Sequence, residues 1–210
     1  MATDGRSEQP GSPALPSTRR LSATGLGLPS SGAPPRPVKQ GREPRLPESH
    51  RRALSVLVDR LSGADVRWAV TGSVAFALHG VVIVPRDLDI STDRGGAYAL
   101  EQAFADEVVE RVKPLVSDRL RTLRGLLSLE GVPVEIVGDI RRRLRSGRWG
   151  RPVNPLRHAI VLMVDGVEVP VLTPKYLYRA YMQLGRAEKA ALLRPLLEHR
   201  ADQALVLLRS

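Results

Sequence analysis

Two aspartates separated by one apolar residue, Asp87-Leu88-Asp89, lie in the segment RDLDIST at 86–92. In a strand, residues two apart share a face, so both carboxylates point the same way while Leu88 and Ile90 point into a core. Like charges held together repel. A hard divalent cation such as magnesium relieves that repulsion by binding carboxylate oxygens together with the phosphate oxygens of a substrate. Upstream stands Gly72-Ser73. A Gly-Ser pair between a strand and a helix suits phosphate: Gly lets a ligand approach the backbone, and the helix start offers free N–H groups. Ser73 adds a hydroxyl donor, and Arg86, beside the first aspartate, could contact a triphosphate, although an Arg at a strand start is more often a surface charge. Taken singly these signals are weak, since Ser is a common helix N-cap and Asp-x-Asp is usually a turn or a solvated face.

The surrounding pattern must position these groups. Helical spacing of apolar residues predicts a helix near 49–62, and a short β-rich run predicts a strand near 66–71. The helix-compatible VAFALHG follows Gly72-Ser73, then the extended RDLDIST, then a helix near 97–112. LLSLEG and VPVEIVGDI read as two strands about a turn at Glu130-Gly131. HAIVLMVDGVEVPVL reads as a hairpin about Asp165-Gly166. After Thr173-Pro174 the pattern is helical again, through KYLYRAYMQLG and RAEKAALLRPLLEHR to ADQALVLLRS. No internal repeat is visible.

Length and composition narrow the classes. A chain of 210 residues accommodates one ordinary domain with a core. Residues 1–47 are rich in Ser, Pro, Gly and Arg without apolar period, so a disordered arm is expected there, followed by a catalytic core over 48–172 and a helical segment over 173–210. Lys and Arg outnumber Asp and Glu 32 to 22, a net charge of +10 that favours anionic partners such as nucleotides or RNA. The absence of Cys removes disulfides, thiol chemistry and Cys-based zinc sites. No run approaches the roughly 18 apolar residues of a membrane span, and a cytoplasmic location is expected. The most basic stretch, RRRLRSGRWGR at 141–151, includes Trp149 among its arginines and suits RNA or nucleotide phosphate, or else a solvated loop.

With 13 residues between Ser73 and Asp87, the string GSVAFALHGVVIVPRDLDI resembles the signature of the DNA polymerase β-like nucleotidyltransferase superfamily. It looks most like the small bacterial branches, which include antibiotic nucleotidyltransferases and AbiEii- and MNT-type toxins. The resemblance is specific over about 66–92 and extends to about 140. It implies an α/β fold with a mixed β-sheet flanked by helices, plus C-terminal helices. It also implies transfer of a nucleoside monophosphate from a nucleoside triphosphate, ATP among them, to a hydroxyl on RNA, a protein or a small molecule. By the same resemblance, Asp87 and Asp89 would bridge two magnesium ions. A third carboxylate would hold one ion and draw the acceptor's proton. Val134-Glu135-Ile136 matches that third position, with Asp139 as the rival on the same face if the strand continues past Gly138.

Related enzymes often place basic residues near the nucleotide, which makes Lys175 and Lys189 candidates. His79 has a counterpart in relatives, although a helix-end or core histidine explains it as well. Tyr176, Tyr178 and Tyr181 could stack a base, but their helical spacing suits packing better. A toxin-like role with a cognate antitoxin is a further implication of the resemblance. The rival reading is a non-catalytic member of the fold that binds nucleic acid or a protein, suggested by the basic charge and by Pro85-Arg86 where relatives commonly have Thr.

Overall fold

The computed structural model describes residues 46–198. The expected N-terminal arm up to residue 45 and the segment ADQALVLLRS lie outside the described residues. Helix α1, Glu48–Leu61, buries His50, Ala53, Leu54, Leu57 and Leu61, a three-and-four spacing that forms one apolar stripe. Strand β1, Trp68–Thr71, and helix α2, Gly72–Leu78, follow in the expected order. An extended segment leads into β2, Leu88–Thr92, where Leu88 and Ile90 are fully buried.

Helix α3, Arg94–Ala103, is shorter than the periodicity suggested. Instead of helix to 112, the chain makes a single 3₁₀ turn at Ala105–Glu107 and enters β3, Val108–Val116. The β-branched Val108, Val109 and Val112 favour the strand, and Pro114 would break a helix. Its missing N–H is tolerated because β3 lies at an edge of the sheet. Capping sets where α3 begins, with the Asp93 side chain accepting from the Gly96 N–H at 2.8 Å. Asp93→Ala is expected to cost about 1 kcal/mol, read as a lower urea midpoint with an unchanged slope.

Strands β4, Leu120–Leu129, and β5, Val132–Arg142, pair antiparallel about Glu130-Gly131. Strands β6, Ala159–Val164, and β7, Val167–Leu172, pair about Asp165-Gly166. All four turn residues have positive φ, between 50° and 82°, the geometry of a tight two-residue hairpin turn. The stretch 141–151 is partly strand: Arg141 and Arg142 end β5, and Arg143 bridges back to Trp149. Helices α4, Pro174–Gln183, and α5, Ala187–Ala191, follow.

The seven strands form one mixed sheet in the order β3-β4-β5-β2-β1-β7-β6. Its centre is the site's frame: β2 runs antiparallel to β1 and parallel to β5. Helix α3 packs on β5, where a Cβ at Gly138 would approach that of Ala97 to 2.7 Å, and α2 packs on β1 and β2. Buried aliphatic residues from these layers form one core cluster with Phe76 and Phe104.

Candidate active site

Asp89 lies in β2 with its Cα partnered to Thr71 of β1 on one side and Glu135 of β5 on the other. Pairing across a parallel ladder therefore places Glu135 beside Asp89, although 46 residues separate them in sequence. Asp87 immediately precedes β2, and the Ser73 hydroxyl donates to it at 3.4 Å. Gly72 has φ +64°, and a Cβ there would stand 1.7 Å from Asp89 Oδ2. The backbone of the Gly-Ser turn is thus pressed against the second aspartate, an approach only Gly permits.

The electrostatics follow from this crowding. Asp89 is raised from 3.8 to about 7, first by burial and then by the negative charges of Asp87 and Glu135, while Lys189 and Arg186 pull it down. Tyr181 is pushed up to about 12, first by burial and then by Asp89. Its ring meets Phe76 edge-on at 5.3 Å, with Lys189 Nζ 5.9 Å from the ring centre. His50, buried in α1, is lowered by burial and feels the opposing pull of Asp87.

Glu135 accepts from Arg124 Nε at 2.7 Å. Among the described residues, no three acidic or histidine side chains converge tightly enough to ligate an ion as they stand. The donor set nonetheless suits one. Asp87, Asp89 and Glu135 offer hard oxygens, and their mutual repulsion, visible in the Asp89 shift, is what a divalent cation removes. Glu135 would exchange its arginine for the ion.

The rival carboxylate, Asp139, faces elsewhere. Its φ of +49° breaks the alternation of β5, and its carboxylate pairs with Arg141 at 3.2 Å and with Arg94 of α3 at 4.0 Å. The His79 ring is buried, with Nε2 2.8 Å from the Leu172 carbonyl oxygen. Arg86 and Lys175 are exposed and make no hydrogen bond or ion pair with another described residue. Tyr176 stacks on His158 at 4.4 Å, and Tyr178 packs against the core.

Sequence reasoning overlooked Arg124 and Arg186. The signal for Arg124 was present: a turn at Glu130-Gly131 sets Leu126 opposite Glu135, and Arg124 shares the face of Leu126. No local pattern marks Arg186, which reaches Asp89 through the docking of α4 and α5. A cavity of about 290 Å³ between α1 and the β6–β7 hairpin contains none of these groups. Its arginines are already paired, Arg51 with Asp165 and Arg52 with Glu48, so it reads as a structural crevice.

The model of the aminoglycoside-2''-adenylyltransferase family matches residues 53–193. A Thermotoga maritima crystal structure classed as a nucleotidyltransferase is 40% identical, with a TM-score of 0.65 over 73% of this chain and 96% of its own. The lincosamide antibiotic adenylyltransferase LnuA, with lincomycin bound, is 13% identical, with a TM-score of 0.42 over 70% of this chain and 97% of its own. No curated protein matches the chain.

Proposed function

Because the chain belongs to the aminoglycoside-2''-adenylyltransferase family and is a nucleotidyltransferase, we propose that Asp87, Asp89 and Glu135 carry transfer of a nucleoside monophosphate from a magnesium-bound nucleoside triphosphate to a hydroxyl acceptor. The group transferred, in the family's name, is an adenylyl group, which makes ATP the first triphosphate to test. The observation that supports this reading best is the register of β2 and β5, which sets Glu135 beside Asp89 while Gly72 lies against the Asp89 carboxylate.

In this reading Asp87, Asp89 and Glu135 hold the metal. When bound, divalent ions neutralise the triphosphate and the charge that develops on the attacking and leaving oxygens. The chain's own groups position the reactants. Gly72 lets the turn close against the Asp89 carboxylate, Ser73 offers its hydroxyl to the triphosphate, Arg186 and Lys189 supply positive charge to it, and Arg86 flanks it. The acceptor oxygen forms a bond to the α-phosphorus as the bond from that phosphorus to the β-bridging oxygen breaks. Pyrophosphate leaves with the electron pair, and the acceptor's proton passes to Glu135. No covalent enzyme intermediate is needed. Lys175 has no support from its surroundings. A toxin–antitoxin role rests only on the likeness to small bacterial branches.

The test is incubation of the full chain with each α-labelled nucleoside triphosphate, magnesium and, in separate arms, an aminoglycoside, total RNA and a metabolite extract. Transfer by the wild type and none by Asp87→Ala/Asp89→Ala is the expected result. No transfer in any arm, together with no magnesium-dependent thermal stabilisation by any triphosphate, overturns the proposal.

A further inference from the structure

Segments 117–124 and 139–158 carry ten arginines against two carboxylates, Asp118 and Asp139. Antiparallel pairing of β4 with β5 brings the start of the second segment beside the first, with Leu120 opposite Arg142 and Arg121 opposite Arg141. Of the ten, only Arg124 and Arg141 have a carboxylate partner among the described residues. The others form a surface whose charge nothing described neutralises. It holds much of the net +10 of the chain.

This surface leads to the carboxylates. At its outer end the turn 143–150 is closed by Leu144 N–H to the Arg148 carbonyl at 2.8 Å and Gly150 N–H to the Arg142 carbonyl at 2.9 Å. Arg143 lies 5.8 Å from the centre of the Trp149 ring. The Arg143 N–H donates to the Arg119 carbonyl at 3.0 Å, and the Arg119 guanidinium reaches Gly185, where a Cβ would stand 2.6 Å from it. Gly185 precedes Arg186, whose charge is felt at Asp89. Beside this path, Arg142 donates to the Tyr176 hydroxyl at 3.1 Å and lies 5.5 Å from the centre of a ring that stacks on His158. Arg143, one residue past the end of β5, is eight residues from Glu135, at most roughly 26 Å at the rise of a strand.

We propose that this arginine track binds a single-stranded polynucleotide whose 3′-terminal hydroxyl is the acceptor at the Asp87–Asp89–Glu135 site. The proposal rests on the nucleotidyl-transfer reading above. A track of that length spans several phosphates, whereas a small acceptor would touch only its inner end. An aminoglycoside carries several ammonium groups and is repelled by it. The guanidinium–aromatic pair of Arg143 and Trp149 suits unstacked bases, which only a single strand presents.

The probe is a 5′-fluorescein single-stranded RNA oligonucleotide, with DNA of the same sequence as a second arm, titrated with the full chain by anisotropy at several salt concentrations. The wild type is expected to bind with a steep salt dependence. Arg143→Ala/Arg145→Ala/Arg148→Ala should weaken binding at least about tenfold and lower the salt slope by roughly 2, at about 0.7 per phosphate contact. Arg51→Ala/Arg52→Ala/Arg67→Ala, which removes equal charge elsewhere, should bind as the wild type does. The RNA or DNA arm that gains one labelled nucleotide is the acceptor, and a 3′-phosphate on that strand should block the gain. The proposal is overturned if the wild type binds neither strand, or if the two triple variants weaken binding equally. Thermal stabilisation by a magnesium-bound triphosphate, measured on the same proteins, reports separately on the catalytic reading. If it persists while strand binding is absent, only the track is refuted.

Discussion

Asp89→Asn is expected to make the folded protein more stable at pH 8 while abolishing transfer. The folded chain holds Asp89 at about 7 against an ordinary 3.8, chiefly because the half-buried carboxylate is partly stripped of water when ionised. Between these values the folded state binds a proton that the unfolded state has released, so folding is penalised increasingly as pH rises from about 4 to about 7, and fully above that. The full penalty is at most roughly 4 kcal/mol. Asparagine keeps the shape without the charge, so the variant should gain about 1–4 kcal/mol at pH 8 and little below about pH 4. Other carboxylates also titrate, which makes the difference between wild type and variant the quantity to follow by urea unfolding across pH. Transfer should fall by about 10³-fold or more, because the donor set loses the central one of its three charges. A variant that is active, or less stable at pH 8, would show that Asp89 is not a half-buried charge awaiting a cation.

Gly72→Ala should damage the same site from the backbone side. The residue sits at φ +64°, a conformation that costs a side-chain-bearing residue about 1–2 kcal/mol. The added methyl would occupy the place of Asp89 Oδ2, 1.7 Å away, with Asp89 Cβ itself at 3.0 Å. The carboxylate must move, and a displacement of about 1 Å at a reacting centre can cost roughly a hundredfold in rate. Gly63 is the control. It too has positive φ, at +76°, but a Cβ there meets nothing within 4 Å. Gly63→Ala should lower stability by a similar amount and leave transfer unchanged, which separates backbone strain from carboxylate displacement.

Local chemistry made much of the fold legible. The strand–turn–helix–strand order around Gly72-Ser73, the helical stripe of α1 and both hairpins follow from periodicity and turn residues. The family match over 53–193 bears out the nucleotidyltransferase resemblance carried by residues 66–92. The failure at β3 has a local cause as well. In VVERVKPLV the apolar residues keep a helical spacing while the valines and Pro114 favour a strand, and its use as an edge strand depends on β4 being available beside it.

The sequence by itself determined that Asp87 and Asp89 are two residues apart in an extended segment, with a Gly-Ser turn 13 residues before the first of them and arginines dense from 141 onward. Those are short-range properties, set by side-chain alternation and by which residues tolerate positive φ. Only the tertiary structure decided that β5 lies parallel to β2, so that Glu135 stands beside Asp89 while a left-handed residue turns Asp139 to Arg94. It alone brought Arg186, Lys189 and Tyr181 to the half-buried Asp89 carboxylate, and Arg119 beside Gly185. Parallel pairing and helix docking are settled by burial of apolar surface between segments far apart in the chain, and no local period encodes which distant face a strand or helix will cover.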